Sequence, residues 1–231
     1  MSKKAGRSVI IIFVSTGLFF QGCGQSQAGK SDQTPVDADK ISAPGPAKVE
    51  SAKPSSSPSQ FKPFNVYTDA NAPDNHYTPS GWMGDYGDIK MNEQFLTNPH
   101  GGSTSIQIGY SAKGAQGARW AGVYWQNPSN NWGTRPGGYD LTGAKKLTFW
   151  ARGEKGGERI EEFKIGGITG EYADSDVAGI GPVVLTLEWQ PFTIDLDGKD
   201  LSSISGGFCW VANADGNPTG FTIYLDDIRY E

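Results

Sequence analysis

From Phe64 onward the sequence consists of short apolar or alternating runs, each bounded by Gly, Pro, Asn or Asp. Ser105–Tyr110, Trp120–Gln126, Lys146–Arg152, Glu161–Ile165, Val183–Leu187, Pro191–Leu196, Gly207–Ala212 and Phe221–Tyr230 read as strands. In Lys146–Arg152, Leu147, Phe149 and Ala151 fall on one face and Thr148, Trp150 and Arg152 on the other, because successive side chains alternate along a strand. The same rule puts Trp120, Tyr124 and Gln126 on one face of the next run upstream. Ala121, Val123 and Trp125, all apolar, share its opposite face and are the better core candidates. No stretch sustains a helical period. Eight or more strands within about 170 residues, separated by turn chemistry, predict an all-β domain over 63–231, an antiparallel β-sandwich. There is no internal repeat and no sign of a second domain.

The preceding residues obey different rules. Lys3, Lys4 and Arg7 precede Val9–Phe20, a mostly apolar run too short to span a hydrocarbon core of about 30 Å as a helix. Residues 1–22 therefore read as an export signal. Gly22 followed by Cys23 resembles a bacterial lipobox, with Phe20 and Gln21 departing from its usual residues. The resemblance implies lipidation of Cys23 and anchorage to the cell envelope. Gly24, in place of Asp, implies the outer membrane in a cell that has one. Residues 23–62 form a linker, nearly free of large apolar side chains and punctuated by Pro35, Pro44, Pro46, Pro54 and Pro58. Such a segment cannot bury enough surface to offset its ordering entropy. When extended at about 3 Å per residue it reaches up to about 100 Å. Gly24–Ser31 formally matches a P-loop, but no strand precedes it and Pro35 follows, so no nucleotide is expected.

Composition narrows the function. A net charge of −5, from 20 basic and 25 acidic residues, disfavours nucleic acid as a partner. Two His and two Cys leave little for zinc or haem. With Cys23 assigned to lipid, Cys209 has no disulfide partner and reads as a small buried hydrophobe.

Three segments then point to one family. Asp140–Ala144 with Lys146–Gly153, Leu187–Leu196 with its Trp-Gln-Pro-Phe-Thr-Ile-Asp-Leu, and the closing Phe221–Ile228 with Tyr-Leu-Asp-Asp-Ile resemble galactose-binding-like β-jelly rolls. Their order and spacing fit across residues 105–230. The resemblance implies a jelly roll, a core position for Trp189, and one structural Ca²⁺ held between the first and last strands. Asp226 and Asp227 match the closing strand, and Asp69 is the partner expected from the other end. Modules of this fold include carbohydrate-binding modules, assembly factors and adhesion domains.

Catalytic signals are weak: the folded part contains no G-x-S-x-G, H-E-x-x-H or S-x-x-K motif. His100-Gly101-Gly102 reads as a turn. Glu158, Glu161 and Glu162 sit beside a Gly-Gly pair, where solvated charge is the default against glycosidase carboxylates. The seven tryptophans say more. Indole stacks on the C–H face of a sugar, whose hydroxyls need amide, guanidinium or carboxylate partners. Trp82 and Trp132 lie in stretches rich in turn residues, where a large aromatic has few structural reasons to be. Trp120, Tyr124 and Gln126 are expected to line an open sheet with Trp150 and Arg152, and with Trp210 unless Phe208, on the same face, draws it into the core; the alternative is a second hydrophobic layer. The expectation is a non-enzymatic surface lipoprotein that binds polysaccharide through Trp82, Trp120, Tyr124, Gln126, Asn131, Trp132 and Arg152. The rival reading is an envelope-assembly lipoprotein of the same fold that binds a protein, and a glycosidase stands third.

Overall fold

A computed structural model describes residues 60–231. The export signal, Cys23, the P-loop-like stretch and nearly all of the linker lie outside the described residues. The strands are β1 (Phe64–Tyr67), β2 (Thr78–Gly84), β3 (Ile89–Phe95), β4 (Ser105–Tyr110), β5 (Trp120–Gln126), β6 (Lys146–Gly153), β7 (Arg159–Ile160), β8 (Glu162–Gly166), β9 (Val177–Ile180), β10 (Val183–Val184), β11 (Gln190–Asp195), β12 (Gly206–Asn213) and β13 (Phe221–Tyr230). Eleven of them build two antiparallel sheets, while β7 and β10 pair with each other as a short antiparallel ribbon. The first has the order β11-β6-β13-β4-β3, with β1 added beside the end of β13, and the second β2-β5-β12-β8-β9. Neighbours in space are mostly distant in sequence, as in a jelly roll.

The core lies between the sheets, where the alternation had placed it. Leu147, Phe149 and Ala151 of β6 face Val123 and Trp125 of β5 across it, all fully buried. Phe149 meets Phe163 at 4.7 Å and Phe208 at 5.2 Å between ring centroids, offset or edge-on as ring quadrupoles prefer. Trp210 is also fully buried and packs against Phe221, so it belongs to the core and not to an open face.

Close packing fixes some small residues. A Cβ at Gly207 would fall within the ring of buried Tyr77, whose hydroxyl is tied to the Ile204 carbonyl at 2.8 Å. Gly207→Ala is therefore expected to lower stability by about 1–3 kcal/mol through overpacking, read from a denaturant midpoint.

Buried carboxylates shape the loops. Asp85 follows β2 and Asp88 ends the short 3-10 turn Tyr86–Asp88, and both side chains are buried. Asp85 accepts the backbone N–H groups of Gln116, Ala118 and Arg119 at 2.6–2.9 Å. Asp88 accepts from the Ser111 hydroxyl and the Gly114 N–H, both at 2.7 Å. The β4–β5 connection thus follows two aspartates instead of a hydrogen-bonded ladder.

Candidate functional site

The sandwich has two outward faces, and the expected site residues divide between them. Trp120, Tyr124 and Gln126 alternate with the core residues of β5, so they point outward from the second sheet. Trp150 and Arg152 belong to β6, on the outside of the first sheet. The single surface expected from sequence does not exist: the core separates its two halves.

On the second sheet, exposure sorts the candidates. Trp120 is 38% and Trp132 41% exposed. Tyr124, Gln126 and Asn131 are buried and internally engaged, so they support the surface instead of offering contacts. The Tyr124 hydroxyl donates to the Gly166 carbonyl at 3.0 Å, and its ring meets Trp132 edge-on at 5.9 Å. Burial pushes its phenol well above the usual range. The Gln126 amide donates to the Asn131 carbonyl at 2.9 Å and accepts from Ser80 at 3.0 Å. Asn131 donates to the Arg135 carbonyl at 3.0 Å, closing the loop that carries Trp132. This platform holds Trp132 over one end of the outward row of β5, with Trp120 four residues away at the other, about 14 Å along the strand.

Between them lies a floor that the sequence did not reveal. Gly122 faces outward there, and the Met83 terminal methyl lies 3.0 Å from its ideal Cβ position. Lys164 of β8 pairs with Glu162 at 3.0 Å and sits 5.6 Å from the centre of the Tyr124 ring. Cys209, opposite Tyr124 and Lys164 in register, is free and buried. Burial raises its thiol far above neutrality, so it is unreactive. Lys164 and Met83 were missed, and Glu162 was weighed only for hydrolysis, because the β5–β12–β8 and β2–β5 registers, not any local motif, bring them to this face.

Trp82 is 38% exposed but lies elsewhere. It sits on edge strand β2 opposite Val123, on the core-facing side, at the rim of the sandwich. Its segment is a strand and not a loop.

The first sheet carries Arg152, whose guanidinium lies 3.7 Å from the centre of the Tyr224 ring and 5.2 Å from that of Trp189. Trp189 is only half-buried and donates to the Asn98 carbonyl at 3.0 Å, so it is not the core residue expected. Trp150 is covered by the His100 ring, stacked 3.7 Å away.

The three aspartates expected to share calcium are bound to protein donors. Asp226, fully buried, accepts the N–H groups of His100, Gly101 and Asp227 at 2.8–3.2 Å. Asp69 accepts from the Ser103 and Thr104 backbone at 2.8 and 2.7 Å and from the Thr104 hydroxyl at 3.0 Å. Asp227 takes His100 Nδ1 at 2.7 Å. Among the described residues no three His, Cys, Asp or Glu side chains converge as metal ligands. Through these bonds the three aspartates clamp segment 98–104 onto the sheet. Burial pushes the Asp226 carboxyl up to about 6, against the opposing effect of its backbone donors.

The glutamates weighed for hydrolysis are also engaged. Glu158 is buried and accepts the Lys155 N–H at 2.7 Å, Glu161 pairs with Arg159 at 2.8 Å, and Glu162 with Lys164.

Two antiparallel sheets in this connectivity define a β-jelly roll of the kind found in carbohydrate-binding modules. No protein-family model and no curated protein matches the sequence. Among solved structures the chain is similar to a family 30 carbohydrate-binding module, at TM-score 0.50 and 16% identity, covering 74% of this chain and 87% of that one. It is also similar to the family 30 module of a Clostridium thermocellum cellulosomal cellulase, at 0.47 and 18%, with 74% and 97% covered. A family 11 module from the same organism gives 0.44 and 14%, with 66% and 86% covered. The likeness to the first of these, at TM-score 0.50, establishes the fold alone.

Proposed function

We propose that the domain is a non-catalytic module that binds a glycan on the outward face of its second sheet. One observation carries the reading: Trp120 and Trp132 remain exposed at the two ends of the β5 row, on the outward side of the sheet. An indole held out of the core by a hydrogen-bonded loop presents the flat apolar surface that a sugar ring stacks on, and Lys164 and Glu162 beside it provide for hydroxyls. The shared fold supports the reading. We further propose that lipid on Cys23 and the polar linker display the domain on a bacterial envelope. Affinity per site is expected to be weak, because each sugar hydroxyl exchanges water for an imperfect partner. Many copies on one surface offset this through avidity.

Affinity electrophoresis through gels containing soluble polysaccharides tests the site. Trp132→Ala and Trp120→Ala are each expected to weaken retardation about tenfold, whereas Trp82→Ala leaves it unchanged. Retardation that survives loss of both Trp120 and Trp132 would remove the second-sheet face from the account. Absence of retardation on any glycan would favour a protein partner.

A further inference from the structure

The outside of the first sheet carries a groove that the fold does not require. It is about 240 Å³ in volume and is lined by Lys90, Asn92, Gln107, Gly109 and Thr222. Register extends the same rows to Tyr224 and Arg152: Asn92 opposes Gln107, Gln107 opposes Tyr224, and Tyr224 opposes Arg152. The row crosses β3, β4, β13 and β6, three strand spacings or about 14 Å.

Gly109 is the first clue. Every other described glycine either has a positive φ or would bring a Cβ to within 3.0 Å of a neighbour. Gly109 does neither, its nearest neighbours lying 3.9 Å from the ideal Cβ. A glycine in mid-strand sacrifices backbone entropy and side-chain packing, and one that packing does not demand marks a place where something else approaches the backbone.

Charge is the second clue. In a chain with a net charge of −5, neither Lys90 nor Arg152 forms an ion pair among the described residues. Arg152 donates only to the Gly153 carbonyl, at 3.4 Å, and its Nε is buried without an acceptor. The nearby acid, Glu154, is taken up by the Tyr224 hydroxyl, which also accepts from the Gln107 amide at 3.2 Å. A flat guanidinium fixed on an aromatic ring, with its Nη2 donating to no acceptor among the described residues, matches a carboxylate. Asn92, Gln107 and Thr222 alongside match hydroxyls.

We propose that this groove is a second ligand site, which takes a strand of acidic glycan and reads two of its hexuronate carboxylates, one at Arg152 and another at Lys90. It is separated by the core from the second-sheet face and stands independently of that reading.

The test titrates the full chain with polygalacturonate, and with neutral β-glucan as the control, by affinity electrophoresis and calorimetry. Binding of the acidic polymer is expected to weaken with salt, to fall at least tenfold in Arg152→Ala and in Lys90→Ala, and to vanish in Gly109→Leu, which fills the groove. Gly109→Leu should melt no lower than the wild type, so its loss of binding is not unfolding. Trp132→Ala should leave polygalacturonate binding intact while losing any neutral glycan, which separates failure of one site from failure of the other. In the wild type, the Trp189 indole N–H resonance should shift on addition of galacturonate oligomers, a readout that needs no variant. Polygalacturonate binding that is absent, unchanged in Gly109→Leu, or lost equally in Lys199→Ala, whose ammonium pairs with Asp176 beside the second sheet, would overturn the proposal, the last outcome marking unspecific charge attraction.

Discussion

Asp85→Ala is expected to be among the most damaging single changes in the domain, lowering the thermal midpoint by about 10 °C. The buried carboxylate takes three backbone N–H groups from the β4–β5 connection, at Gln116, Ala118 and Arg119. Its removal leaves those donors without acceptors, and an unmade buried hydrogen bond costs more than a made one contributes. Burial pushes this carboxyl up, but the N–H groups of Ala118, Gln116 and Arg119 outweigh it and hold the group below the usual range. The stability it confers is therefore present above the unfolded pKa, about 4, and lost as pH falls through the lower folded value. A calorimetric scan at neutral pH, repeated under acid, checks both parts. A midpoint within a few degrees of wild type at neutral pH would show that water replaces the carboxylate.

The second large effect runs the other way in pH. Asp226 has its carboxyl raised from 3.8 to about 6 by burial, so the folded protein holds a proton that the unfolded chain releases. Its contribution is full below about pH 4 and is lost as pH rises through 6, an effect on the order of 2 kcal/mol. Burial raises Asp174 and Glu93 in the same sense, while Asp69, Asp85 and Asp88 are lowered and fail under stronger acid. The stability maximum should fall near pH 5, below neutrality. Denaturant midpoints between pH 4 and 8 should decline from 5 to 7 in the wild type and stay flatter in Asp226→Asn. A wild-type profile that rises from pH 5 to 7 would contradict this.

How much the sequence revealed depended on which physical signal was local. β4, β5 and β13 were legible to the residue, because alternation against a buried face is written into consecutive positions. β2 was not. Pro79, Gly81 and Gly84 read as turn chemistry, yet Gly81 is small because Tyr124 and Gln126 occupy the space a Cβ would fill. Alternation also told which way Trp120 and Arg152 face within their strands, but not that the strands belong to different sheets; that follows from long-range pairing. The paired acids Asp226 and Asp227 stood out as calcium ligands implied by the family resemblance. The partners proved to be the His100, Gly101 and Asp227 backbone and the His100 ring, which no short motif encodes. Exposure of Trp132 was legible for a simple reason: asparagines and glycine around an indole leave it little to pack against.

The pairing of β1 with β13 has a mechanical side. β1 is four residues long and meets β13 at three register positions. Tension applied to the chain ahead of Phe64 enters the domain through that strand, so β1 is the element that yields first under load. Besides its pairing with β13, it is held by the Phe64 ring, with ring centroids 3.9 Å from His76, 4.9 Å from Tyr139 and 6.5 Å from Tyr230. That aromatic knot is the rivet between a pulled chain and the rest of the fold, and both outward faces stay intact for as long as it holds.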